Sequence, residues 1–328
     1  MSTALELAHE VKKFQEDFAA LRGQIAQVVV DAGDAIDDVL VALFAGGHVL
    51  LEGAAGTGKT VLARAVADAL DAEFRRIQFT PDLMPGDVIG TYVILESDGR
   101  RRFEFQQGPI FTNVLLADEV NRATPKTQAA LLEALDEGAV TVANETYALP
   151  RPFFAIATQS PLGAEGTFPL PETQLDRFLF KLTMPRPDEE ALDQILLRTT
   201  GDTLPEAQPV LTARRVVEMQ EVVRQATAAE AARRIAIRLT AASHPDADSA
   251  PEIVKRYVRS GASPRAAQAM VLAGKVRAIL EGRSDATAAD VRAAALPALR
   301  HRLALNYDGQ AEAIAPDDVV AGLLDSIK

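Results

Sequence analysis

The chain has 328 residues, 48% apolar and 24% charged, a balance that suits a folded protein of two or three domains with a sizeable core rather than a disordered one. It has no cysteine, which excludes disulfide frameworks, thiolate nucleophiles, iron–sulfur clusters and cysteine-type zinc sites. The formal charge is −12, and the acidity sits in residues 1–185 (15 Lys and Arg against 26 Asp and Glu, versus 19 against 20 in residues 186–328), which argues against a polyanion such as nucleic acid as partner.

The N-terminus carries Glu6, Glu10, Lys12 and Lys13 with no apolar stretch of the signal-peptide kind. No run approaches the ~18–20 apolar residues of a membrane span, so a cytoplasmic location is expected. Val11, Phe14, Phe18, Leu21, Ile25 and Val28 recur at spacings of three and four, which lines them along one helical face. That face could form a subunit interface, but packing on the protein's own core is the favoured reading. Ile36, Val39, Leu40 and Leu43 suit a second helix that ends at Gly46-Gly47.

Short apolar runs then alternate with helical patterns at 49–51, 74–79, 114–117, 153–157 and 178–182, as buried parallel strands joined by helical crossovers do. Two hairpins interrupt the series. Segments 92–95 and 102–105 flank Asp98-Gly99, and segments 140–142 and 147–149 flank Asn144-Glu145. The alternation of Phe103 and Phe105 with charge predicts one buried strand face, and Arg100, Arg101 and Arg102 read as a solvated tip or as a contact point for a client. Past Pro185 and Pro187 the strands stop, and everything from Asp188 reads as helix. The expected organisation is an N-terminal helical segment at 1–33, an α/β domain at 34–185 and a helical domain at 186–328.

Two motifs carry chemistry. Gly53-Ala54-Ala55-Gly56-Thr57-Gly58-Lys59-Thr60, followed by Val61, fits GxxxxGK[ST] between a strand-like run and a helix. Glycines let backbone N–H groups surround phosphates at a helix N-terminus, Lys59 can reach the β- and γ-phosphates, and Thr60 offers a hydroxyl to Mg²⁺. Downstream, the run ending at Ala117 leads into Asp118-Glu119, which puts two carboxylates at the C-terminal edge of a sheet. Asp118 can hold Mg²⁺ through water and Glu119 can orient and deprotonate the attacking water; on an extended strand the two would point opposite ways. Thr124-Pro125 then opens a helix with Leu131, Leu132 and Leu135 inward, closed by Gly138. The four histidines, His9, His48, His244 and His301, lack metal-binding spacing and read as solvated or core-edge residues.

GAAGTGKT, LLADEVNRATPKTQAALLEALDEG, FAIATQSP, TFPLPETQLDRF and GASPRAA, in that order, resemble the MoxR family of AAA+ ATPases over roughly residues 20–310. The resemblance implies a P-loop α/β domain with a five-stranded parallel sheet, a hairpin inserted in helix 2 near 91–106, a second hairpin at 139–149 before sensor 1, and an all-helical lid. It also implies ATP and Mg²⁺ as ligands, a homo-oligomeric ring (commonly a hexamer), von Willebrand factor A domain proteins as partners, and ATP-driven remodelling of protein clients, metalloenzymes among them. Arg177 falls at the arginine finger, Arg265 at the sensor 2 arginine behind the cap Ser263 and Pro264, and Ser160 at sensor 1. Ser160 stands where the family more usually has Asn, and Asp31-Ala32 where it usually has Gly-Gln near the adenine. Either Ser160 works through a water, Gln159 substitutes for it, or hydrolysis is slow, as in an ATP-controlled scaffold. Two further readings share these motifs: the motor subunit of a metal chelatase, and a nucleic-acid motor, which the charge argues against.

Overall fold

The computed structural model describes residues 2–54, 56–97, 100–160 and 166–327, so Ala55 of the glycine loop and the Asp98-Gly99 turn lie outside the described residues. A long helix α1 (Ser2–Val28) and α2 (Gly33–Ala45) precede the sheet. Val11, Phe14, Phe18, Leu21 and Ile25 are buried within the protomer, with Phe14 and Phe18 edge-on or tilted against Phe44 of α2. The apolar face of α1 therefore belongs to the protein's own core. Gly46 ends α2 in the left-handed conformation, where a residue without Cβ is favoured.

There follow β1 (Val49–Glu52), α3 (Lys59–Ala69), β2 (Phe74–Gln78), α4 (Pro85–Ile89), β3 (Gly90–Ser97), β4 (Arg100–Gln107), β5 (Val114–Asp118), α5 (Pro125–Glu137), β6 (Ala139–Val142), β7 (Glu145–Ala148), β8 (Phe154–Gln159), α6 (Glu172–Leu175), β9 (Phe180–Thr183) and α7 (Glu189–Thr199). Strands β2-β5-β8-β1-β9 form a five-stranded sheet, parallel throughout. Both faces are covered, and the side chains alternate between them. Val49, Leu51, Val114, Leu116, Phe154 and Ile156 face α1, α2 and α3, whereas Leu50, Leu115, Ala117, Ala155 and Ala157 face α5 and the hairpins.

The hairpins β3–β4 and β6–β7 form as expected, with two differences. In the second, the residues with positive φ are Ala143 and Asn144, so the turn sits one residue earlier than Asn144-Glu145 suggests. In the first, Phe105 stacks on Tyr147 with ring centroids 4.2 Å apart, but Phe103 is 70% exposed. Both lie on one strand face, and the rest of the protomer covers only its base.

After α7 the chain is helical, with Ala213–Gln225, Glu230–Ala242 and Pro264–Leu280 as its longest helices up to residue 280. Reading everything past Asp188 as helix needs one correction. Thr227–Ala228 pairs with Asp285–Ala286, and Val258–Ser260 pairs with Ala304–Leu305, as short clamps that satisfy backbone groups between helix ends. The helical part does not stand apart from the sheet domain. The helix Pro264–Leu280 packs on both α1 and α2, so one continuous apolar core joins them. Arg277 pairs with Asp38 of α2 at 2.6 Å, and Arg215 with Asp17 of α1 at 2.7 Å.

Candidate active site

A turn with Gly56 at φ 81 and Gly58 at φ 84 leaves β1 and enters α3. These are left-handed values that side chains with a Cβ rarely adopt. Gly53 is required for another reason, since a Cβ there would meet the Met184 carbonyl oxygen at 2.9 Å. Lys59 folds back onto this turn, its ammonium donating to the carbonyls of Gly53 and Ala54 at 2.8 and 2.7 Å. Burial pushes the Lys59 pKa down from its ordinary value, and Asp118 and Glu119 push it up in opposition.

Strand β5 ends at Asp118, and Glu119 follows in the left-handed conformation, φ 58 and ψ 49. The carboxylates are therefore not separated by strand alternation, as the extended-strand reading expects. The chain turns sharply between them, and both border one cavity of about 340 Å³. Gly53, Gly56, Thr57, Gly58, Lys59, Thr60 and Val61 supply one wall, and Asp118, Glu119, Thr158, Gln159 and Ser160 the other. A left-handed non-glycine residue is strained and needs support. Here the Glu119 N–H donates to the Thr158 hydroxyl at 2.8 Å, and that hydroxyl donates onward to Asp118 Oδ1 at 2.6 Å.

The Glu119 carboxylate is held from three sides. Oε2 accepts from Gln78 and pairs with Arg122, both at 3.1 Å, and Oε1 accepts the Ser160 hydroxyl at 3.3 Å. Asn121 clamps Ser160 by both its backbone N–H and its carbonyl, each at 3.2 Å. Thr158, Asn121, Gln78 and Arg76 are site residues that sequence reasoning does not single out. The one sequence signal for Thr158 and Asn121 is their place inside the family-like segments. For Arg76 and Gln78 it is the pairing of β2 beside β5, which no local pattern reveals.

Among the described residues no cluster of three or more His, Asp or Glu could cage a metal. Oxygen donors from Thr60 and Asp118 on the wall of the first cavity fit a hard cation that keeps its waters and arrives with phosphates, as Mg²⁺ does. A second cavity of about 160 Å³ shares Gly56, Thr57, Gly58 and Val61 and continues to Val29, Asp31, Ala32, Pro185, Ile195 and Arg198. Its mostly apolar wall suits a planar base, and the Asp31-Ala32 segment does border it.

Arg177 and Arg265 border neither cavity. Arg177 Nη1 donates to the Leu132 carbonyl at 2.6 Å, and Arg265 pairs with Asp136 at 2.9 Å, both partners near the end of α5. That end abuts the start of β1, because His48 donates from Nε2 to the Leu135 carbonyl at 3.0 Å while its Nδ1 accepts from Ala155 N–H at 3.1 Å. The two arginines thus sit by the N-terminal edge of the sheet, and the glycine loop by its C-terminal edge.

The turn that carries Arg177 is fastened to the helical part. Arg302, 9% exposed, donates to Asp176 Oδ1 at 2.7 Å and to the carbonyls of Phe178 and Leu179, and Ser263 donates to Asp176 Oδ2 at 2.7 Å. His48 and His301 are buried rather than solvated; burial lowers the His48 pKa to about 4 and pushes His301 down as well.

This arrangement is that of a known group of proteins. Residues 48–180 match the model of the ATPase family associated with various cellular activities (AAA), and residues 250–323 match the AAA lid domain. The chain is 38% identical to Chaperone MoxR1 of Mycobacterium tuberculosis, over 93% of this chain and 80% of that one. It is 33% identical to Protein MoxR of Methylorubrum extorquens, over 91% of each. A crystal structure of a provisionally assigned ATPase from Cytophaga hutchinsonii superposes with a TM-score of 0.90 at 34% identity, covering 100% of this chain and 98% of that one. The chain belongs to the MoxR family of AAA+ ATPases.

Proposed function

We propose that the protein hydrolyses ATP with Mg²⁺ in the cavity between residues 53–61 and 118–119, and that neighbouring copies in a ring, a hexamer by resemblance, complete each site. The observation that carries this reading is that the glycine loop and the carboxylate pair wall one cavity of about 340 Å³. On this reading Lys59 exchanges the Gly53 and Ala54 carbonyls for phosphate oxygens. The N–H groups of the glycine loop cradle the phosphates. Thr60 and Asp118 hold the Mg²⁺, which neutralises phosphate charge when bound. Glu119 accepts a proton from the attacking water, and Ser160 positions that water from its place beside Glu119.

Arg177 and Arg265 act on the nucleotide of the next copy. A strand of four residues spans only about 13 Å, but it separates the two edges, and a positive charge supplied across a subunit boundary makes hydrolysis depend on assembly. Turnover then drives chaperone-like remodelling or maturation of a protein client, such as a metalloenzyme, in the cytoplasm, with a von Willebrand factor A domain protein as a separate partner. No helix among the described residues is long and apolar enough to cross a membrane.

The test is steady-state phosphate release, with Glu119→Gln expected to bind ATP and abolish turnover. Unchanged release in that variant would refute the assignment. A second reading, a scaffold with slow hydrolysis, is favoured by one observation: the Ser160 hydroxyl is engaged with Glu119 itself. Ser160→Asn raising the release rate would support it.

A further inference from the structure

Strand β2 is an edge strand, and its Arg76 reaches across to Asp118 on β5. Nε and Nη2 donate to one carboxylate oxygen, Oδ2, at 3.1 and 2.6 Å, while Oδ1 accepts the Thr158 hydroxyl at 2.6 Å. A carboxylate oxygen has about two lone-pair directions. On Oδ2 both N–H groups of one guanidinium converge from the same side, and on Oδ1 one direction is occupied by a hydroxyl that cannot leave without exposing the Glu119 N–H.

The two partners differ in freedom. The Asp118 side chain is 10% exposed and fixed, whereas that of Arg76 is 48% exposed. Arg76 borders not the cavity that Asp118 lines but a wide groove of about 1090 Å³ between α3 and segment 204–209, where Asp68 and Glu73 are paired with Arg64 and Arg75 and where Asp71 and Glu206 also stand. The guanidinium is half-solvated and the carboxylate is not, so Asp118 needs a cationic partner, and a divalent cation with twice the charge can take the place of Arg76.

We propose that Arg76 is the resident counter-cation of the metal position: it holds Asp118 Oδ2 in the metal-free site and swings into the acidic groove beside α3 when Mg²⁺ enters with nucleotide. This rests on the reading of Thr60 and Asp118 as the magnesium side of the cavity. Arg76 is here a positioning residue. It sets the metal affinity by competition, so that the carboxylate is neutralised while empty and metal is retained only when phosphates add their own oxygens.

The experiment measures Mn²⁺ binding to the full chain with a non-hydrolysed ATP analogue, reading free Mn²⁺ by electron paramagnetic resonance. Arg76→Ala is expected to bind Mn²⁺ on the order of tenfold tighter than wild type. Arg75→Ala controls for net charge, since Arg75 is paired with Glu73 at 2.8 Å rather than with Asp118, and it should change the affinity less than about twofold. Equal or weaker Mn²⁺ binding by Arg76→Ala, or an equal gain in Arg75→Ala, would overturn the proposal. Should Arg76→Ala fail to melt as a folded protein, Arg76→Lys, which keeps the charge but loses the two-pronged grip, should still gain about threefold; no gain would overturn it too. Wild type that binds nucleotide without Mn²⁺ would instead bring down the magnesium reading itself, an outcome distinct from a wild type that binds Mn²⁺ and a variant that binds it no better.

Discussion

The two edges of the central sheet are built on different principles. At the C-terminal edge, the ends of the adjacent strands β1, β5 and β8 converge, and backbone groups, short hydroxyls and two carboxylates enclose a cavity. At the N-terminal edge, two arginines are presented on carbonyl and carboxylate partners far away in sequence, with Arg302 and Ser263 holding the turn between them. The first edge is a receptacle that its own strands close. The second presents its charge, among the described residues, to the Leu132 carbonyl and to Asp136. A parallel sheet keeps its two edges apart, and on the function proposed above one copy's second edge serves another copy's first.

Five substitutions and one titration test that contrast. The largest effect is expected from Arg177→Ala, which should lower phosphate release by roughly 10³-fold or more while leaving ATP affinity nearly unchanged. Mixing it with Glu119→Gln subunits should restore part of the activity, and a mixture as inactive as its components would count against action between copies. Lys59→Ala should weaken ATP binding on the order of 10²-fold in a direct titration, since it removes a charge at the receptacle. Retained affinity would break the assignment of that edge.

Arg302→Met should cost about 3–5 kcal/mol in denaturant unfolding, because Asp176 is left without its charged partner. Asp176→Asn should cost less, and both should lower hydrolysis without changing nucleotide affinity if the turn merely presents Arg177. Thr158→Val should cost about 1–3 kcal/mol, since one hydroxyl serves both the Glu119 N–H and the Asp118 carboxylate. Its defect should appear at the receptacle edge as weaker nucleotide binding.

The smallest effect concerns pH. His48 and His301 brace the arginine-bearing edge as neutral rings. The His48 pKa is about 4 in the folded chain against an ordinary 6.5, so between those values the unfolded chain holds more protons and stability falls as pH falls. Asp38, raised to about 6 by burial, works in the opposite direction between 3.8 and 6, at the contact of α2 with Arg277. His48→Gln should therefore flatten the acid-side slope by up to about 1.4 kcal/mol per pH unit. An unchanged slope would mean that His48 does not carry it.

Much is legible from local pattern. The glycine loop, the strand ending in Asp118, the buried face of α1, the cap at Ser263 and the Gly46 and Gly138 helix ends all depend on residues within one or two turns of one another, so sequence spacing reports them directly. The exposure of Phe103 on its hairpin face is not legible, because alternation shows which residues share a face, not whether anything lies against it. Burial of His48 and His301 escapes for a related reason: a lone imidazole carries no periodicity, and its environment comes from strands and helices elsewhere in the chain.

The amino-acid sequence by itself determined the phosphate loop, the carboxylate pair and the alternation of helix and strand, because propensity, steric allowance and hydrophobic period act over a few residues. Only the tertiary structure decided that Glu119 adopts a left-handed turn, that Arg76 and Gln78 reach the carboxylates, and that Arg177 and Arg265 lie on the far edge of the sheet. Those outcomes depend on strand order and on contacts spanning tens to over a hundred residues, where closing the chain, rather than any neighbour's chemistry, sets which groups meet.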